Sequence, residues 1–104
     1  MGMDLKPVRP TKAAPRDENG EPVWGYYNWT GWTILGNQLI EWGHSDLVNY
    51  MSGWNDGEVI PSKICKQIGK AIKEHLDEEE DDDWREFQRT KVTLWETCGG
   101  YKQF

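Results

Sequence analysis

Four lysines on one flank of a predicted helix are the residues best suited to chemistry. Lys63, Lys66, Lys70 and Lys73 recur at steps of three and four residues, the spacing that puts side chains on one side of a helix. The run starts at a helix N-terminus, where free backbone N–H groups already favour anions. We expect Lys63, Lys66 and Lys70 to bind phosphate groups. Lysines on such a flank can also serve only to keep the helix soluble, and the sequence leaves both interpretations open.

Tryptophan is the second residue type that indicates a ligand. The chain has 7 Trp, and four of them lie between positions 24 and 42. An exposed indole can stack on a nucleobase, which is worth about 1–3 kcal/mol per base, whereas a buried indole anchors a core. The turn at Asn55-Asp56-Gly57 adds a carboxylate suited to a ribose hydroxyl or a ligand amine. Beside the lysines, the residues that we expect to line a nucleotide site are Trp29, Trp32, Trp54, Asn55 and Asp56.

The remaining polar residues do not form a pattern for catalysis or metal binding. The cysteines and histidines lack the C-x2–4-C and H-x3–5-H spacings of zinc sites, and free cysteines on apolar helix faces behave as small hydrophobic residues. No glycine-rich loop of the phosphate-binding type occurs. We therefore expect no catalytic residue, no bound metal and no cofactor, and we do not expect an enzyme. The residues weighed here are His44, Cys65, His75 and Cys98.

The acidity of the chain is one local feature. The formal net charge is −6, but Asp77 to Asp83 supply seven acidic residues in an unbroken run. Without this run, 11 of the 18 acidic residues face 12 basic ones, a net charge of +1. Such a run is usually a solvated connector. The alternative is a docking surface for a protein partner, formed by Glu78, Glu79, Glu80, Asp81, Asp82 and Asp83. We do not expect direct binding to nucleic acid.

The spacing of apolar residues predicts a mainly α fold of about four helices, with α+β as the alternative. In the first helix, Thr30 is the predicted N-cap, Trp42 the last residue and Gly43 the terminator. Met1 to Leu5 and Tyr101 to Phe104 are predicted to pair as two short terminal strands. The other predicted helices are Asp46 to Met51, Pro61 to Leu76 and Trp84 to Thr97.

We predict a single domain over residues 1–104. It divides into a proline-rich arm (1–22), aromatic and amphipathic helices (23–76), an acidic connector (77–83) and a C-terminal helix with a tail (84–104). No apolar run approaches the roughly 18 residues that span a bilayer, so no membrane contact is expected. The start of the chain has charged residues and prolines where a signal peptide has its apolar segment. These features favour a cytoplasmic protein, and they leave homo-oligomerisation open.

Four motifs along the chain resemble uncharacterised small proteins of phages, prophages and bacteria. They are Met1-Gly2-Met3-Asp4 at the start, Tyr26-Tyr27-Asn28-Trp29 with Trp32, the Asn55-Asp56-Gly57 turn before an amphipathic helix, and Cys98-Gly99-Gly100-Tyr101 near the end. The aromatic block of those proteins is a denser tryptophan run followed by Arg-Pro, whereas this chain continues Trp-Thr-Ile-Leu. No role of that arginine carries over to this sequence.

The resemblance implies a small non-catalytic phage protein that acts on its host in the host cell cytoplasm. Combined with the lysines and aromatic residues, it favours counter-defence by sequestering a nucleotide-type signal. The alternative is a protein inhibitor whose acidic run blocks a host nucleic-acid-binding enzyme. A third interpretation is a structural or regulatory phage module. The expected partner is thus a nucleotide-type small molecule or a host protein.

Overall fold

The computed structural model describes residues 2–53 and 57–104, which form an antiparallel sheet and a set of helices. The strands lie side by side in the order β2-β1-β4-β3. Helices α1, α3 and α4 supply most of the apolar side chains that cover one face of this sheet. In chain order the elements are β1 (Gly2–Pro7), β2 (Gly25–Asn28), α1 (Trp29–Glu41), α2 (Ser45–Val48), β3 (Val59–Ile60), α3 (Ser62–His75), a 3₁₀ helix (Leu76–Glu78), α4 (Asp82–Thr97) and β4 (Tyr101–Gln103).

The prediction of a mainly α fold is wrong, because the four-stranded sheet makes this an α+β protein. The strands are two to six residues long, too short to leave a clear alternation in the sequence. They also come from distant parts of the chain, so their pairing depends on the tertiary fold. The predicted pairing of the two termini is confirmed, since Leu5 pairs with Gln103 and Lys6 with Lys102.

The ends of the helices follow from local hydrogen bonds. α1 begins at Trp29 because the Oδ1 atom of Asn28 accepts a hydrogen bond from the backbone N–H of Gly31 at 2.7 Å, so the predicted cap at Thr30 is wrong. The predicted terminator Gly43 is confirmed and has a φ of 85°. α4 begins before the predicted Trp84, because Asp81 accepts from the Trp84 N–H at 3.1 Å. Within the described residues, no helix is long and apolar enough to cross a bilayer.

An aromatic cluster fills the space between the sheet and the helices. Tyr27 on β2 is buried against Trp32 of α1 and Trp95 of α4, and the two indoles lie 6.4 Å apart at 9°. The Trp95 indole N–H donates to the Tyr27 hydroxyl at 3.0 Å, and that hydroxyl donates to Gln88 Oε1 at 2.9 Å. Burial raises the pKa of Tyr27 well above its ordinary value, so this hydroxyl stays neutral. The cluster ties strand β2 to helices α1 and α4.

Helices α3 and α4 approach each other closely at Gly69. A Cβ atom at this position would lie 3.0 Å from the Trp95 Cβ and 3.1 Å from the Glu96 Cγ. The absent side chain therefore sets the distance between the two helices. The N-terminal arm packs against the end of α4, where Thr11 N donates to Thr97 O at 2.9 Å and Arg9 N to Cys98 O at 3.2 Å. These contacts fix the arm beside the sheet.

Candidate functional site

The second face of the sheet is exposed, and its side chains are those that alternate with the core residues. Met3 and Leu5 on β1 point into the core, whereas Asp4 and Lys6 lie on the outer side. On β4, Tyr101 and Gln103 are buried and Lys102 is exposed. We call this surface the outer face; its exposed members are Asp4, Lys6, Trp24, Tyr26, Val59, Lys102 and Phe104.

Three aromatic rings are exposed on or beside the outer face. Trp24, Tyr26 and Phe104 keep 47%, 39% and 37% of their surface accessible. The rings of Trp24 and Phe104 lie 5.8 Å apart with an angle of 21° between their planes, so they form a stacked pair across β1. Both rings of this stack keep accessible surface that a planar ligand can contact. We call it the Trp24–Phe104 stack.

Two lysine ammonium groups accompany the stack. Lys6 Nζ lies 5.9 Å from the centroid of the Trp24 ring, and Lys102 Nζ lies 5.3 Å from that of Phe104. The two lysines are directly opposite each other on β1 and β4, an arrangement of like charges that disfavours folding. In the part of the chain that the structure describes, neither forms an ion pair. An anion bound between them would relieve their repulsion.

A groove extends the outer face towards the N-terminal arm. Its volume is about 540 Å³, and Lys6 and Trp24 line it together with arm residues that include Asp17 and Glu21. Small-molecule sites have volumes of roughly 300–1,000 Å³, and the volume of this groove lies within that range. The Asp17 Oδ1 atom accepts hydrogen bonds from the backbone N–H groups of Asn19 and Glu21 at 2.9 and 3.0 Å, which holds the rim of the groove.

The lysines that the sequence predicted to bind phosphate lie on α3, not on the outer face. Lys63, Lys66 and Lys70 are exposed on α3, and Lys70 lies 3.9 Å from Glu74 in an exposed ion pair. The cations that lie over aromatic rings among the described residues are Lys6, Lys91 and Lys102, not the lysines of α3. The structure thus separates the predicted phosphate-binding lysines from the exposed rings.

The described tryptophans that the sequence predicted to bind a ligand pack in or against the core. Trp32 is buried, and its indole N–H donates to the Ser52 carbonyl at 2.8 Å. Trp29 is half-buried and packs against the core. Trp54, Asn55 and Asp56 lie outside the described residues. The described aromatic part of the expected nucleotide site, Trp29 and Trp32, therefore does not lie with its lysine part. That part comprises Lys63, Lys66 and Lys70.

The acidic run is partly built into the fold. Glu79 accepts a hydrogen bond from Gln38 at 2.8 Å, Asp81 caps α4, and Asp82 pairs with Arg85. Glu78 lies 2.6 Å from the Nδ1 atom of His75. Asp82 and Asp83 form the first turn of α4, so the predicted connector is shorter than residues 77–83. Within the described part of the chain, the carboxylates of the run that stay exposed without such a contact are Asp77, Glu80 and Asp83.

Sequence reasoning missed the residues of the outer face. A signal was present, since pairing Met1 to Leu5 with Tyr101 to Phe104 requires Lys6, Lys102 and Phe104 to share the face opposite to Leu5 and Tyr101. Trp24 gave no such signal, because it lies beside Phe104 only through the pairing of β2 with β1.

Comparison of the chain with protein-family models, with curated proteins and with solved structures gives no match. The described residues contain no group of three or more His, Cys, Asp or Glu side chains arranged to hold a metal ion. The fold and the site define an α+β domain whose sheet exposes aromatic rings beside two lysines. The geometry of that surface is the basis for assigning a function.

Proposed function

We propose that this protein is a non-catalytic binding protein that captures nucleotide-type ligands on the outer face of its sheet. The observation that carries the proposal is the exposed Trp24–Phe104 stack with Lys6 and Lys102 beside it. A nucleotide combines a planar base with a phosphate, and this surface offers a partner for each part. The groove beside Trp24 adds carboxylates that can accept hydrogen bonds from ribose hydroxyls or exocyclic amines.

The expected affinity for a single nucleotide is weak. One stacked base contributes about 1–3 kcal/mol, and each exposed charge pair contributes roughly 0.2–1 kcal/mol. With one stacked base and two such pairs, the sum is about 1.4–5 kcal/mol, which corresponds to a dissociation constant between roughly 0.2 and 100 mM. Assays for this function must therefore detect millimolar binding.

Counter-defence is the biological role that this proposal favours. A protein that sequesters a nucleotide-type signal needs only a binding surface, which is what the resemblance to small phage proteins implies. The proposal puts the protein in the cytoplasm of the host cell, where such ligands occur. Two free cysteines, Cys65 and Cys98, fit a reducing compartment.

The test is a titration of the isotope-labelled protein with mononucleotides and cyclic nucleotides, followed by NMR. We expect shifts at the Trp24 indole N–H and at the amides of Lys6 and Lys102, with millimolar dissociation constants. Trp24→Ala removes the stacking face and should weaken binding about tenfold. Lys6→Glu with Lys102→Glu should abolish it, because the surface then repels phosphate.

Two matched variants distinguish this site from the one selected by sequence. Tyr50→Ala removes an exposed ring elsewhere, and Lys66→Glu reverses a charge on α3. Both should bind as the wild type does. If Lys66→Glu abolishes binding and the outer-face variants do not, the site is on α3 instead. At about 20 mM ligand, even a dissociation constant of roughly 100 mM would leave about a sixth of the sites occupied, so absence of any shift at that concentration would refute nucleotide capture.

Inhibition of a host nucleic-acid-binding enzyme is the second candidate, and one observation favours it. Glu79, Asp81 and Asp82 are fixed by Gln38, by the α4 N-terminus and by Arg85, so the acidic run has a defined shape. A partner with a basic groove would meet an ordered row of carboxylates, with less ordering entropy lost on binding than for a flexible tail. Under this proposal the outer-face variants keep full inhibitory activity.

A further inference from the structure

We infer that the outer face binds single-stranded nucleic acid, with at least two successive bases stacked on its rings. This inference depends on the proposed function and specifies its ligand. The sequence favours a small nucleotide and does not indicate direct binding to nucleic acid. The positions of the exposed rings favour a strand of several nucleotides over a single nucleotide.

The rings offer two separate stacking positions. The Trp24–Phe104 stack is the first, and Tyr26 is the second. Trp24 directly precedes β2 and Tyr26 is its second residue, so the two are two positions apart along the chain and their side chains are separated by about 7 Å. A single base covers only one of these positions. Neighbouring bases of an unstacked strand can cover both, which is how antiparallel sheets with exposed aromatic residues bind RNA.

The lysines fit a backbone with repeated phosphates. Lys6 and Lys102 are adjacent on neighbouring strands, about 5 Å apart at the backbone. One phosphodiester carries a single negative charge and neutralises them only in part, whereas two successive phosphates of a strand can contact one ammonium each. Single-stranded binders combine such cationic rows with stacking rings in the same way. The described residues thus supply both parts of the interaction on one continuous surface.

Carboxylates define the side of the surface that bases should occupy. Asp4 lies between Tyr26 and Phe104, opposite both of them on the neighbouring strands. Asp81 and Asp83 line a cleft that Tyr26 borders at the edge of the sheet. These groups repel phosphates and accept hydrogen bonds from exocyclic amino groups, such as the N4 amine of cytosine. Asp17 and Glu21 border Lys6 on the other side. The backbone therefore follows the lysines between these two groups of carboxylates, and the bases extend towards Tyr26.

The test compares ligands of increasing length by fluorescence anisotropy and by competition. The probes are a nucleoside monophosphate, single strands of two, four and eight cytidines, and a duplex of eight base pairs. We expect the four-nucleotide strand to bind about tenfold tighter than the monophosphate, because a second base stacks. The duplex should bind at least tenfold more weakly than the eight-nucleotide strand, because its bases are not accessible.

Variants and salt dependence locate the strand. Two phosphate contacts predict a slope of about −1.4 in log affinity against log salt concentration, and Lys6→Gln with Lys102→Gln should remove most of it. Lys63→Gln with Lys66→Gln, which removes the same charge from α3, should leave the slope unchanged. Tyr26→Ala should weaken binding of four nucleotides more than binding of the monophosphate, because a single base can still stack at the Trp24–Phe104 stack. Circular dichroism verifies that each variant is folded.

Each contrary result has its own meaning. Equal affinity for the monophosphate and for the longer strands overturns this inference and leaves nucleotide capture intact. The inference is also overturned if neither Tyr26→Ala nor Lys6→Gln with Lys102→Gln changes the affinity for the strand, because the strand then binds to another surface. Sedimentation showing a dimer that Trp24→Glu dissociates would identify the outer face as a self-association surface instead. If neither mononucleotides nor strands bind, the proposed function fails as well.

Discussion

Single residues on the outer face carry like charges and exposed rings that burial in the core does not explain. Lys6 and Lys102 lie directly opposite each other, although like charges at such positions destabilise a sheet by a few tenths of a kcal/mol or more. Trp24 exposes nearly half of its surface, although burial of the indole would contribute more to stability. Retaining both features makes sense if the surface has a ligand.

Buried polar atoms give a residue-scale prediction about stability. The Tyr101 hydroxyl is buried and has no hydrogen-bond partner among the described residues, whereas the Tyr27 hydroxyl has two. Tyr101→Phe should therefore raise the free energy of unfolding by about 1 kcal/mol, since a buried unpaired group costs roughly 1–3 kcal/mol. Tyr27→Phe should lower it by a similar amount, because Gln88 and Trp95 lose a partner. Urea denaturation measures both; a destabilised Tyr101→Phe variant would contradict the prediction.

At the scale of elements, the short strands decide which side chains meet. β1 alone places Asp4 and Lys6 outward, but only its position between β2 and β4 brings Lys6 close to both Trp24 and Lys102. The helices cover the other face through α1, α3 and α4, so the sheet separates a packed side from an open one. The candidate site is thus a property of strand order.

The acidic run gives an element-scale prediction that separates structural from exposed carboxylates. Asp81→Ala removes the N-cap of α4 and should lower the free energy of unfolding by about 1 kcal/mol, whereas Asp81→Asn keeps an acceptor oxygen and should cost much less. Neutralising Asp77, Glu80 and Asp83 together should change stability by only a few tenths of a kcal/mol, because loss of the helix-dipole interaction is offset by reduced repulsion. Thermal and urea unfolding measure these changes.

The same triple variant also tests the second candidate function, inhibition of a host nucleic-acid-binding enzyme. If the acidic run docks on a host enzyme, the variant with Asp77→Asn, Glu80→Gln and Asp83→Asn should lose inhibition while remaining folded. A triple variant that unfolds at a much lower urea concentration would show that these carboxylates are structural after all.

At the scale of the whole molecule, buried tyrosines predict how stability depends on pH. Burial raises the pKa of both Tyr27 and Tyr101 in the folded protein, while the unfolded chain ionises near pH 10. Stability from these groups is present below pH 10 and is lost as the pH rises further, because only the unfolded chain releases the protons. Two such groups reduce the free energy of unfolding by about 3 kcal/mol between pH 9 and pH 11.

Three other groups modify this alkaline profile: Lys91 and the pair Cys65 and Cys98. The pKa of Cys65 is raised and that of Cys98 is lowered through their mutual hydrogen bond, so the contributions of the two thiols oppose each other. Burial lowers the pKa of Lys91, so deprotonation above that pKa favours the folded protein and offsets part of the loss. The contribution of Tyr101 is isolated by comparing the wild type with Tyr101→Phe in urea at each pH. The difference between them should shift by about 1.4 kcal/mol between pH 9 and pH 11. Parallel profiles for the two proteins would contradict the assignment.

The sequence by itself determined the features that depend on neighbouring residues. The spacing of Ile64, Ile68 and Ile72 predicted α3, and Gly43 was correctly expected to terminate α1. Both are local patterns. The pairing of the two terminal segments was also expected, but it joins distant parts of the chain, and its direction and register come from the tertiary fold.

Only the tertiary structure decided which rings and cations meet. Trp29 and Trp32 were predicted to bind a ligand, but Trp29 packs against the core and Trp32 lies within it. Trp24 and Phe104 stack on the outer face, although 80 positions separate them in the chain. Side-chain burial depends on strand order and on what packs over each face, and neither is encoded in a local period. The lysines on α3 have the clearer sequence pattern, whereas the fold brings Lys6 and Lys102 to the exposed rings.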